Sequence, residues 1–307
     1  MNLNCKISVV ISAYNEETQV EECLKSARFA DEIIFIDNSS TDITYEIAKK
    51  YTSKIFIRPN NKMLNVNKNF GFSKAKNDWI LSLDADERIT KELSEEIKDV
   101  IAQPKENVNG YWIPRKNIIF GKWIQHSIWF PDYQLRLFKK GKGAFPQKHV
   151  HEYLEVEGKS QKLDNHLEHI NYSTVSQYIK KMDQIYTESE VEHFLSSQKS
   201  IHWIDALRFP LEDFLKTFFA KKGYKDGLHG LVLSILQAFY AEIVFIKIWE
   251  KQGFKEYNSQ NFLSEVEQEF EKTRKKFSYW FATATIDETK SPLGKLSHKI
   301  RRKLSSI

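Results

Sequence analysis

The chain has 307 residues, of which 41% are hydrophobic and 13% aromatic, and its formal net charge at pH 7 is +5. This is enough apolar material for a large core, so the composition excludes an intrinsically disordered chain and predicts a globular protein of one or two domains. The two cysteines, Cys5 and Cys23, are too few for a disulfide framework and lack CxxC spacing, which favours a reducing compartment.

The two ends of the chain bear on its location. Residues 1–6 are polar and lead directly into a short apolar run, without the long apolar segment and cleavage site of a secretory signal. We therefore expect a cytoplasmic protein. The excess positive charge is concentrated near the other end, at Lys295, Lys299, Arg301, Arg302 and Lys303. On charge alone, such a tail suits an anionic membrane surface or nucleic acid.

The first hundred residues alternate short apolar runs with amphipathic segments, which is the pattern of βαβ units. Four runs are predicted as parallel strands, at 7–12, 32–36, 54–57 and 79–83. Between them, apolar residues recur at helical spacing, as at Val20, Cys23, Leu24 and Ala27. The sequence thus predicts an α/β fold with a mostly parallel central sheet and helices on both faces.

The pattern changes in the second third of the chain and again near residue 173. Aromatic-rich segments at 110–115 and 133–138 are predicted as strands of a mixed sheet edge. From residue 173 the chain is predicted to be helical, with the longest helices at 209–222, 228–249 and 262–277. We predict two domains, 1–172 and 173–307, and a division of the first near residue 108.

Polar residues follow three of the four predicted strands, at 13–16, 37–42 and 84–87. In an open α/β sheet, ligands bind beyond the carboxyl ends of the strands, where these residues fall. Each group alone would be explained as turn formers and helix caps, with Ser40 or Thr41 capping one helix and Asp86 the next. Three groups converging on one sheet edge instead predict a functional site.

Asp84 and Asp86 lie on one side of an extended turn, an arrangement that can hold a divalent cation and, through it, phosphate oxygens. Mg²⁺ and Mn²⁺ both suit oxygen ligands of this kind. No glycine-rich turn follows the first strand, so neither a dinucleotide fingerprint nor a P-loop lysine is present to cradle phosphate. We therefore expect the metal to take that role, with Lys68 and Arg88 as candidate helpers.

Three ordered runs, SVVISAYNE at 8–16, IDNSSTD at 36–42 and WILSLDADE at 79–87, resemble family 2 glycosyltransferases with the GT-A fold. The segment DYQLRLF at 132–138, followed by VHE at 150–152, is similar to the lipopolysaccharide-core and lipooligosaccharide β-1,4-glucosyltransferases of that family. The resemblance extends over residues 6–172. It implies an inverting transferase that moves a sugar, such as glucose from UDP-glucose, to a hydroxyl of a lipid-linked or cell-surface glycan.

The resemblance also implies roles for individual residues. Asp37 with Asn38 addresses the uracil or ribose, although many members carry an acid where this chain has Asn38. Asp84 and Asp86 bind the metal and the diphosphate, and Arg136 contacts the diphosphate or the acceptor. By these assignments residues 1–108 form the nucleotide-sugar half and 109–172 the acceptor half. The predicted nucleotide-sugar residues are Ala13, Tyr14, Glu16, Asp37, Asn38, Lys68, Asp84, Ala85 and Arg136.

An inverting transfer needs a base within hydrogen-bond reach of the acceptor hydroxyl. The candidates downstream of the metal site are Asp132, His151 and Glu152. Many members use an acid of a Glu-Asp pair, and this chain offers His151-Glu152 instead, so we rank Glu152 first and Asp132 second. Three tryptophans are equally explained by sugar stacking and by core packing: Trp112, Trp123 and Trp129.

Four histidines, His149, His151, His166 and His169, raise the alternative of a structural zinc site, but their loose spacing without cysteine favours ordinary packing. His169 is an alternative further ligand for the catalytic metal. Two other functions stay open within the resemblance, a polyprenyl-phosphate sugar transferase and a non-catalytic nucleotide-sugar-binding relative. No nucleic-acid recognition module is visible, so no nucleic-acid partner is expected.

Segment 228–249 is apolar and nearly long enough to span a bilayer, but its polar residues favour a buried or interfacial helix. Together with the basic tail, it predicts a peripheral contact with anionic lipid on the inner face of the plasma membrane. A helical cap followed by a disordered basic tail is the alternative.

Overall fold

The computed structural model describes residues 5–61, 64–147, 152–197 and 199–305. Its internal contacts divide the chain into two units, one formed by 1–123 with 130–173 and the other by 124–129 with 174–307. The sequence placed the boundary at 172, and it did not separate residues 124–129 from the first domain.

The first unit contains a large mixed sheet flanked by helices. Its helices are α1 (Val20–Ser26), α2 (Thr44–Ala48), α3 (Leu64–Lys74) and α4 (Lys91–Ala102). Its strands are β1 (Ile7–Ala13), β2 (Glu32–Asp37), β3 (Ile55–Ile57), β4 (Trp79–Asp84), β5 (Glu87–Ile89), β6 (Val108–Ile119), β7 (Lys122–Trp123), β8 (Asp132–Lys139), β9 (Gly143–Ala144), β10 (Glu155–Val156), β11 (Lys159–Lys162) and β12 (Leu167–Tyr172).

The strand order is β3-β2-β1-β4-β8-β6-β12-β5. The first four strands pair in parallel, which confirms the predicted parallel half of the sheet. The segments expected at the sheet edge are β8 and part of β6, and they lie inside the sheet instead. Because β8 runs antiparallel to both β4 and β6, it joins the parallel half to the remaining strands.

Alternate side chains of the parallel strands are buried on opposite faces of the sheet. Val9 and Leu81 pack with residues of α1, α2 and α4, whereas Val10 and Ile80 pack with α3. Helices therefore cover both faces, as predicted, and the fold is of the GT-A class. Gly71 explains the close approach of α3, because a Cβ there would lie 2.5 Å from Cγ1 of Val10.

The second unit is helical. It comprises α5 (Val175–Lys181), α6 (Thr187–Ser196), α7 (Asp205–Phe214), α8 (Leu228–Lys251), α9 (Phe262–Glu288) and α10 (Pro292–Ser305), with π-helical turns at Met182–Tyr186 and Leu215–Ala220. The three long predicted helices are present, although α9 continues to Glu288. The basic tail is helix α10, so the alternative of a disordered tail is wrong.

Asp226 explains why residues 124–129 belong to the helical unit. Its carboxylate accepts hydrogen bonds from the backbone amides of Gln125 and His126, at 3.1 and 2.9 Å. Asp226 is itself buried, and Ile124 beside the two amides is fully buried. The sequence carried no local signal for this contact, because about a hundred residues separate the partners.

Candidate active site

The three polar loops singled out from the sequence lie side by side. Residue pairing puts Ala13 of β1 opposite Asp37 of β2, and Ser12 of β1 opposite Asp84 of β4. The three parallel strands therefore end at the same level, and residues 13–16, 37–42 and 84–87 share one edge of the sheet. This edge is where ligands bind in open α/β folds.

The first two loops are tied together by hydrogen bonds. The Asn15 amide donates to Oγ of Ser40 at 3.1 Å, and the Thr41 amide donates to Oδ1 of Asn15 at 2.8 Å. Ser40 and Thr41 thus hold the neighbouring loop, and the expectation that one of them caps α2 is wrong. The N-cap of α2 is Ile43, which makes no side-chain cap, and Oδ1 of Asp42 just before it accepts from the Thr44 amide at 2.9 Å.

Asp37 and Asn38, expected to address the nucleoside, differ in how their polar atoms are used. Among the described residues, the Asp37 carboxylate accepts only long hydrogen bonds, from the Ser40 amide at 3.3 and 3.4 Å. The Asn38 side chain is buried; its Oδ1 accepts from Asn67 at 2.7 Å and its Nδ2 donates to Ser12 at 3.1 Å. Because an aspartate could not make both bonds, this network accounts for the amide at position 38.

Four further residues predicted to bind the nucleotide sugar lie in the first and third loops and differ in exposure. Tyr14 is 40% exposed, so its ring is accessible for stacking. Ala13 is buried and contributes its carbonyl, which accepts from the Asn38 amide at 2.9 Å. Glu16 is half-buried, and its backbone amide donates to Thr44. Ala85 is buried between the two aspartates of the third loop.

Asp84 lies between two cations. Its Oδ1 is 2.5 Å from Nζ of Lys68, and its Oδ2 accepts a hydrogen bond from Arg136. Although burial opposes ionisation, Arg136 and Lys68 hold the pKa of Asp84 well below its usual range. The structure thus brings the two predicted diphosphate contacts, Lys68 and Arg136, to the same carboxylate.

A fully buried carboxylate, Glu87, supports this arrangement. Its Oε1 accepts from Arg136 at 2.7 Å, and its Oε2 accepts from the backbone amide of Asp84 at 3.0 Å. The proposed helper Arg88 instead donates to the carbonyls of Ala85, Glu87 and Gln19. Arg88 therefore stabilises the loop backbone, whereas Glu87 orients Arg136 and the backbone of Asp84.

Asp132 is held in a second ion pair. Arg115 donates to its Oδ2 at 2.8 and 2.5 Å, and Gln134 donates to its Oδ1 at 2.8 Å. Burial raises the pKa of Asp132, but Arg115 and hydrogen bonds from Gln134 and Asn117 outweigh burial and lower it. A carboxylate with a lowered pKa and occupied oxygens is a weak proton acceptor, which weighs against Asp132 as the base.

Asp86 faces a histidine brought from the other end of the unit. Nε2 of His169 lies 3.4 Å from Oδ2 of Asp86, and Nδ1 of His169 lies 2.6 Å from Oδ1 of Asn117. Antiparallel pairing of β12 with β5 makes this contact possible. Asp86 does not cap the next helix, as one interpretation of the sequence held, because Thr90 caps α4 by accepting from the Leu93 amide.

The hydrogen bonds of Asn117 favour one tautomer of His169. Asn117 donates its Nδ2 to Asp132 at 3.2 Å, so its oxygen faces His169 and accepts the Nδ1 proton. Nε2 then directs a lone pair toward the Asp86 carboxylate. A proton on Nε2 or a cation bound by both groups would satisfy this pair, and carboxylate with imidazole is a donor set that suits a divalent metal.

Two protein ligands are enough for such a metal. Among the described ranges, no group of three His, Cys, Asp or Glu side chains is placed to hold an ion. Mg²⁺ commonly takes one or two protein ligands and completes its shell with substrate phosphate and water. The sequence predicted Asp84 and Asp86 as the metal ligands, with His169 as an alternative further ligand. In the structure Asp84 is paired with Lys68 and Arg136, and the pair of Asp86 and His169 is the donor set that suits a metal bound together with a diphosphate.

The remaining base candidates and the three tryptophans each have their own surroundings. His151, like His149, lies outside the described residues. Glu152 is half-buried, and its Oε2 accepts from the Gln147 amide at 2.5 Å. Trp112 donates to Ser160, and Trp123 stacks on His166, so both have packing partners. Trp129 belongs to the helical unit.

Comparison with known proteins decides the family. The model of glycosyl transferase family 2 matches residues 8–154. Residues 8–154 belong to glycosyltransferase family 2. The match includes the three loops and the Asp84-x-Asp86 turn, and the chain is a glycosyltransferase.

The glycosyltransferase has relatives along most of its length. An uncharacterized glycosyltransferase of Rickettsia typhi is 28% identical over 258 residues, which cover 80% of this chain and 87% of the relative. The lipopolysaccharide core biosynthesis glycosyltransferase LpsC of Rhizobium meliloti is 25% identical over 256 residues, with coverage of 81% and 94%. The crystal structure of Staphylococcus aureus TarS 1-349 with UDP-GlcNAc is 17% identical, has a TM-score of 0.44, and is matched over 82% and 93%.

Proposed function

We propose that this glycosyltransferase moves a sugar, such as glucose from UDP-glucose, to a hydroxyl of a lipid-linked or cell-surface glycan such as a lipopolysaccharide core. It would use Mg²⁺ or Mn²⁺ and a carboxylate base and would invert the anomeric centre. The observation that carries the proposal is the meeting of three groups at one sheet edge: Asp37, the Asp84 ion pairs with Lys68 and Arg136, and the Asp86–His169 pair. The acceptor class rests on the similarity to LpsC.

Asp37 is the proposed nucleoside contact. Its weakly bonded carboxylate stands at the end of β2, where it would accept hydrogen bonds from uracil N–H or ribose hydroxyl groups. The accessible ring of Tyr14 would stack on the base. Asn38, held by Ser12 and Asn67, would fix the position of the loop that carries Asp37.

Lys68 and Arg136 are the proposed diphosphate contacts. Both cations are now paired with Asp84, so a bound diphosphate would compete with that carboxylate for them. Around this site the carboxylates of Asp84, Asp86, Glu87 and Asp132 outnumber the cations Lys68, Arg115 and Arg136 by one charge. An anionic diphosphate therefore needs further positive charge, which a divalent ion would bring.

Asp86 and His169 are the proposed metal ligands. Asn117 would keep Nδ1 of His169 protonated, so that Nε2 stays available as a ligand. When bound, the metal would supply electrostatic neutralisation of the departing diphosphate. Glu87 and Arg115 would hold the surrounding charges in place without touching the substrate.

Glu152 remains the proposed base. A base must reach the acceptor hydroxyl on the face opposite the diphosphate. Asp132 is engaged by Arg115, Gln134 and Asn117, and its lowered pKa weighs against a role as base. Glu152 accepts a hydrogen bond from the Gln147 amide. The proposal therefore keeps the ranking of Glu152 ahead of Asp132.

A donor screen tests the function. UDP release from UDP-glucose, UDP-galactose and UDP-GlcNAc would be measured with and without Mn²⁺, in the presence of a lipopolysaccharide-core acceptor or a polyprenyl phosphate. The proposal expects UDP release only with a matching donor, metal and the glycan acceptor. Transfer to the polyprenyl phosphate alone would favour that transferase class. Tight donor binding without UDP release under any condition would indicate a non-catalytic relative.

Replacing Asp37 by alanine is expected to weaken UDP binding about tenfold or more while slowing the chemistry of bound donor much less. The physical reason is that the nucleoside contact is made equally in the ground and transition states. Calorimetry with UDP and single-turnover kinetics measure the two effects. Asp99→Ala, which removes an exposed carboxylate of α4, is the matched control. UDP affinity equal to wild type in Asp37→Ala would reduce Asp37 to a loop residue.

A further inference from the structure

Helix α10 packs with its polar side inward. Its partly buried residues are Gly294, His298 and Arg302, which are spaced four apart and so form one face. The helix packs against α9. An amphipathic helix of a soluble domain normally buries its apolar face. In α10 the face left uncovered is the apolar one.

The uncovered face is a continuous aliphatic stripe. Leu293, Leu296, Ile300 and Leu304 are 80%, 56%, 54% and 71% exposed. At about 100° per residue, these four side chains fall within about 80° of arc along the whole helix. Such a regular exposed stripe differs from scattered surface leucines, which need no explanation, and indicates a surface that binds something apolar.

Cations border this stripe. On the same helical wheel, Arg301 and Lys303 lie at its two edges, and Lys295 and Lys299 lie further round the helix. Lysine and arginine beside an aliphatic face are typical of helices that lie in the plane of an anionic lipid surface. The described part of α10 contains no acidic residue.

Helix α8 gives a second, independent indication in the same unit. It is long and apolar enough to cross a membrane by length and composition, yet part of it is buried in the protein. Its outward stripe contains Leu228, Ile235, Phe239, Ile246 and Trp249. Glu242 lies in this stripe, and a carboxyl group there opposes a bilayer crossing. The helix therefore fits contact with a lipid surface better than passage through it.

The aliphatic stripe and the neighbouring cations of α10 together favour one kind of binding partner. Nucleic acid would pair with the cations but would leave the aliphatic stripe in water. A second copy of this chain could cover the stripe, but it would bring the same cations to the contact, and like charges would repel. An anionic lipid surface satisfies both features, because headgroups neutralise the cations while acyl chains cover the leucines.

We propose that α10 is a membrane-surface helix that seats the enzyme on an anionic lipid bilayer through Leu293, Leu296, Ile300 and Leu304, with Arg301 and Lys303 at the headgroups. The proposal does not depend on the sugar-transfer chemistry, since vesicle binding needs neither donor nor metal. On such a surface the enzyme would meet lipid-linked glycans, which are the acceptor class of the proposed function.

Co-sedimentation of the full-length protein with vesicles tests the proposal. Wild type is expected to bind phosphatidylcholine vesicles that contain phosphatidylglycerol much more tightly than pure phosphatidylcholine vesicles, and to lose binding as salt rises. The double change Leu296→Ser with Ile300→Ser is expected to reduce partitioning roughly tenfold or more, from lost apolar burial. The double change Arg301→Gln with Lys303→Gln is expected to reduce it by a similar factor on anionic vesicles only.

Matched controls separate the helix from general surface effects. Val175→Ser removes an exposed apolar residue of α5, and Lys49→Gln with Lys50→Gln removes two exposed cations that directly follow α2. Both controls are expected to bind vesicles as wild type does, and circular dichroism checks that each variant folds. Unchanged vesicle binding by the two α10 variants overturns the proposal. So does a shift from dimer to monomer in the leucine variant without loss of vesicle binding, because the stripe would then join two copies.

Discussion

Replacing Asp86 by asparagine is expected to lower sugar transfer about a thousandfold or more, since a metal supplies several kcal/mol of charge stabilisation to the transition state. An amide is a poor ligand for a hard cation. It would also donate a hydrogen bond to Nε2 of His169, which lies 3.4 Å from the present carboxylate. The substitution would therefore satisfy the pair without metal, and both proposed ligands would be lost at once while the fold persists.

Metal binding is measured apart from activity. Mn²⁺ with UDP is expected to raise the melting temperature of wild type, and this shift should vanish in Asp86→Asn and shrink in His169→Ala. EDTA should stop turnover by wild type, and added Mn²⁺ should restore it. Asp99→Asn, on the exposed side of α4, serves as the control and should keep the shift. Full turnover of wild type in EDTA without added cation would refute the metal assignment.

Replacing Glu152 by glutamine is expected to lower kcat by about a hundredfold to ten-thousandfold, the usual range for loss of a general base. Donor and metal affinity should stay close to wild type, because the amide keeps the shape of the side chain and can still accept a bond from Gln147. Single-turnover kinetics with saturating acceptor measure the chemical step directly. The matched control is Glu155→Gln, which makes the same change at another glutamate, on β10.

Asp132→Asn is the informative comparison for the base. This change removes the nearer of the two carboxylates paired with Arg115 and leaves only Glu87 at 3.7 Å among the described residues, so we expect lower stability and a raised acceptor KM before any loss of kcat. The lowered pKa of Asp132 means that its contribution to stability is present above the unfolded pKa of about 3.9 and is lost as pH falls through the folded pKa. Denaturation between about pH 2 and 7 should therefore show a weaker acid dependence in Asp132→Asn.

The two variants together assign the base. A Glu152→Gln enzyme with near-normal kcat, beside a folded Asp132→Asn enzyme that binds UDP-sugar but does not turn over, would transfer the role to Asp132. Loss of kcat in Glu152→Gln alone would support the proposed assignment. The stability measurement distinguishes a dead enzyme from an unfolded one.

The parts of the site that could be predicted from sequence are those that depend on local pattern. Apolar runs marked the four parallel strands, and the polar residues after them marked the sheet edge, because strand ends and loops follow each other along the chain. Asp84 and Asp86 were visible for this reason. The roles of Ser40 and Thr41 were misjudged, because both form bonds to Asn15 across the loops and not within their own turn.

The charged and polar side chains that hold Asp84, Asp132 and His169 in place could not be predicted from local pattern. Strand β5 carries Glu87, and strand β6 carries Arg115 and Asn117. Both strands pair with β12, which is distant from them in sequence, so the positions of these residues depend on long-range pairing. His169 was considered as a ligand, but nothing local showed which acid it would meet. The stripe of α10 was readable from its spacing, yet the sequence interpretation of the tail used only its cations.

The capping of residues 125 and 126 by Asp226 limits how this enzyme can be divided or recombined. The chain leaves the α/β unit after residue 123, returns at 130 and leaves again after 173, so no single cut separates the two units. A protein truncated at 173 would keep Ile124 without the helices that bury it, and two amides without their acceptor. Exchange of the helical unit between related enzymes would therefore require two junctions, so these units are expected to be inherited together.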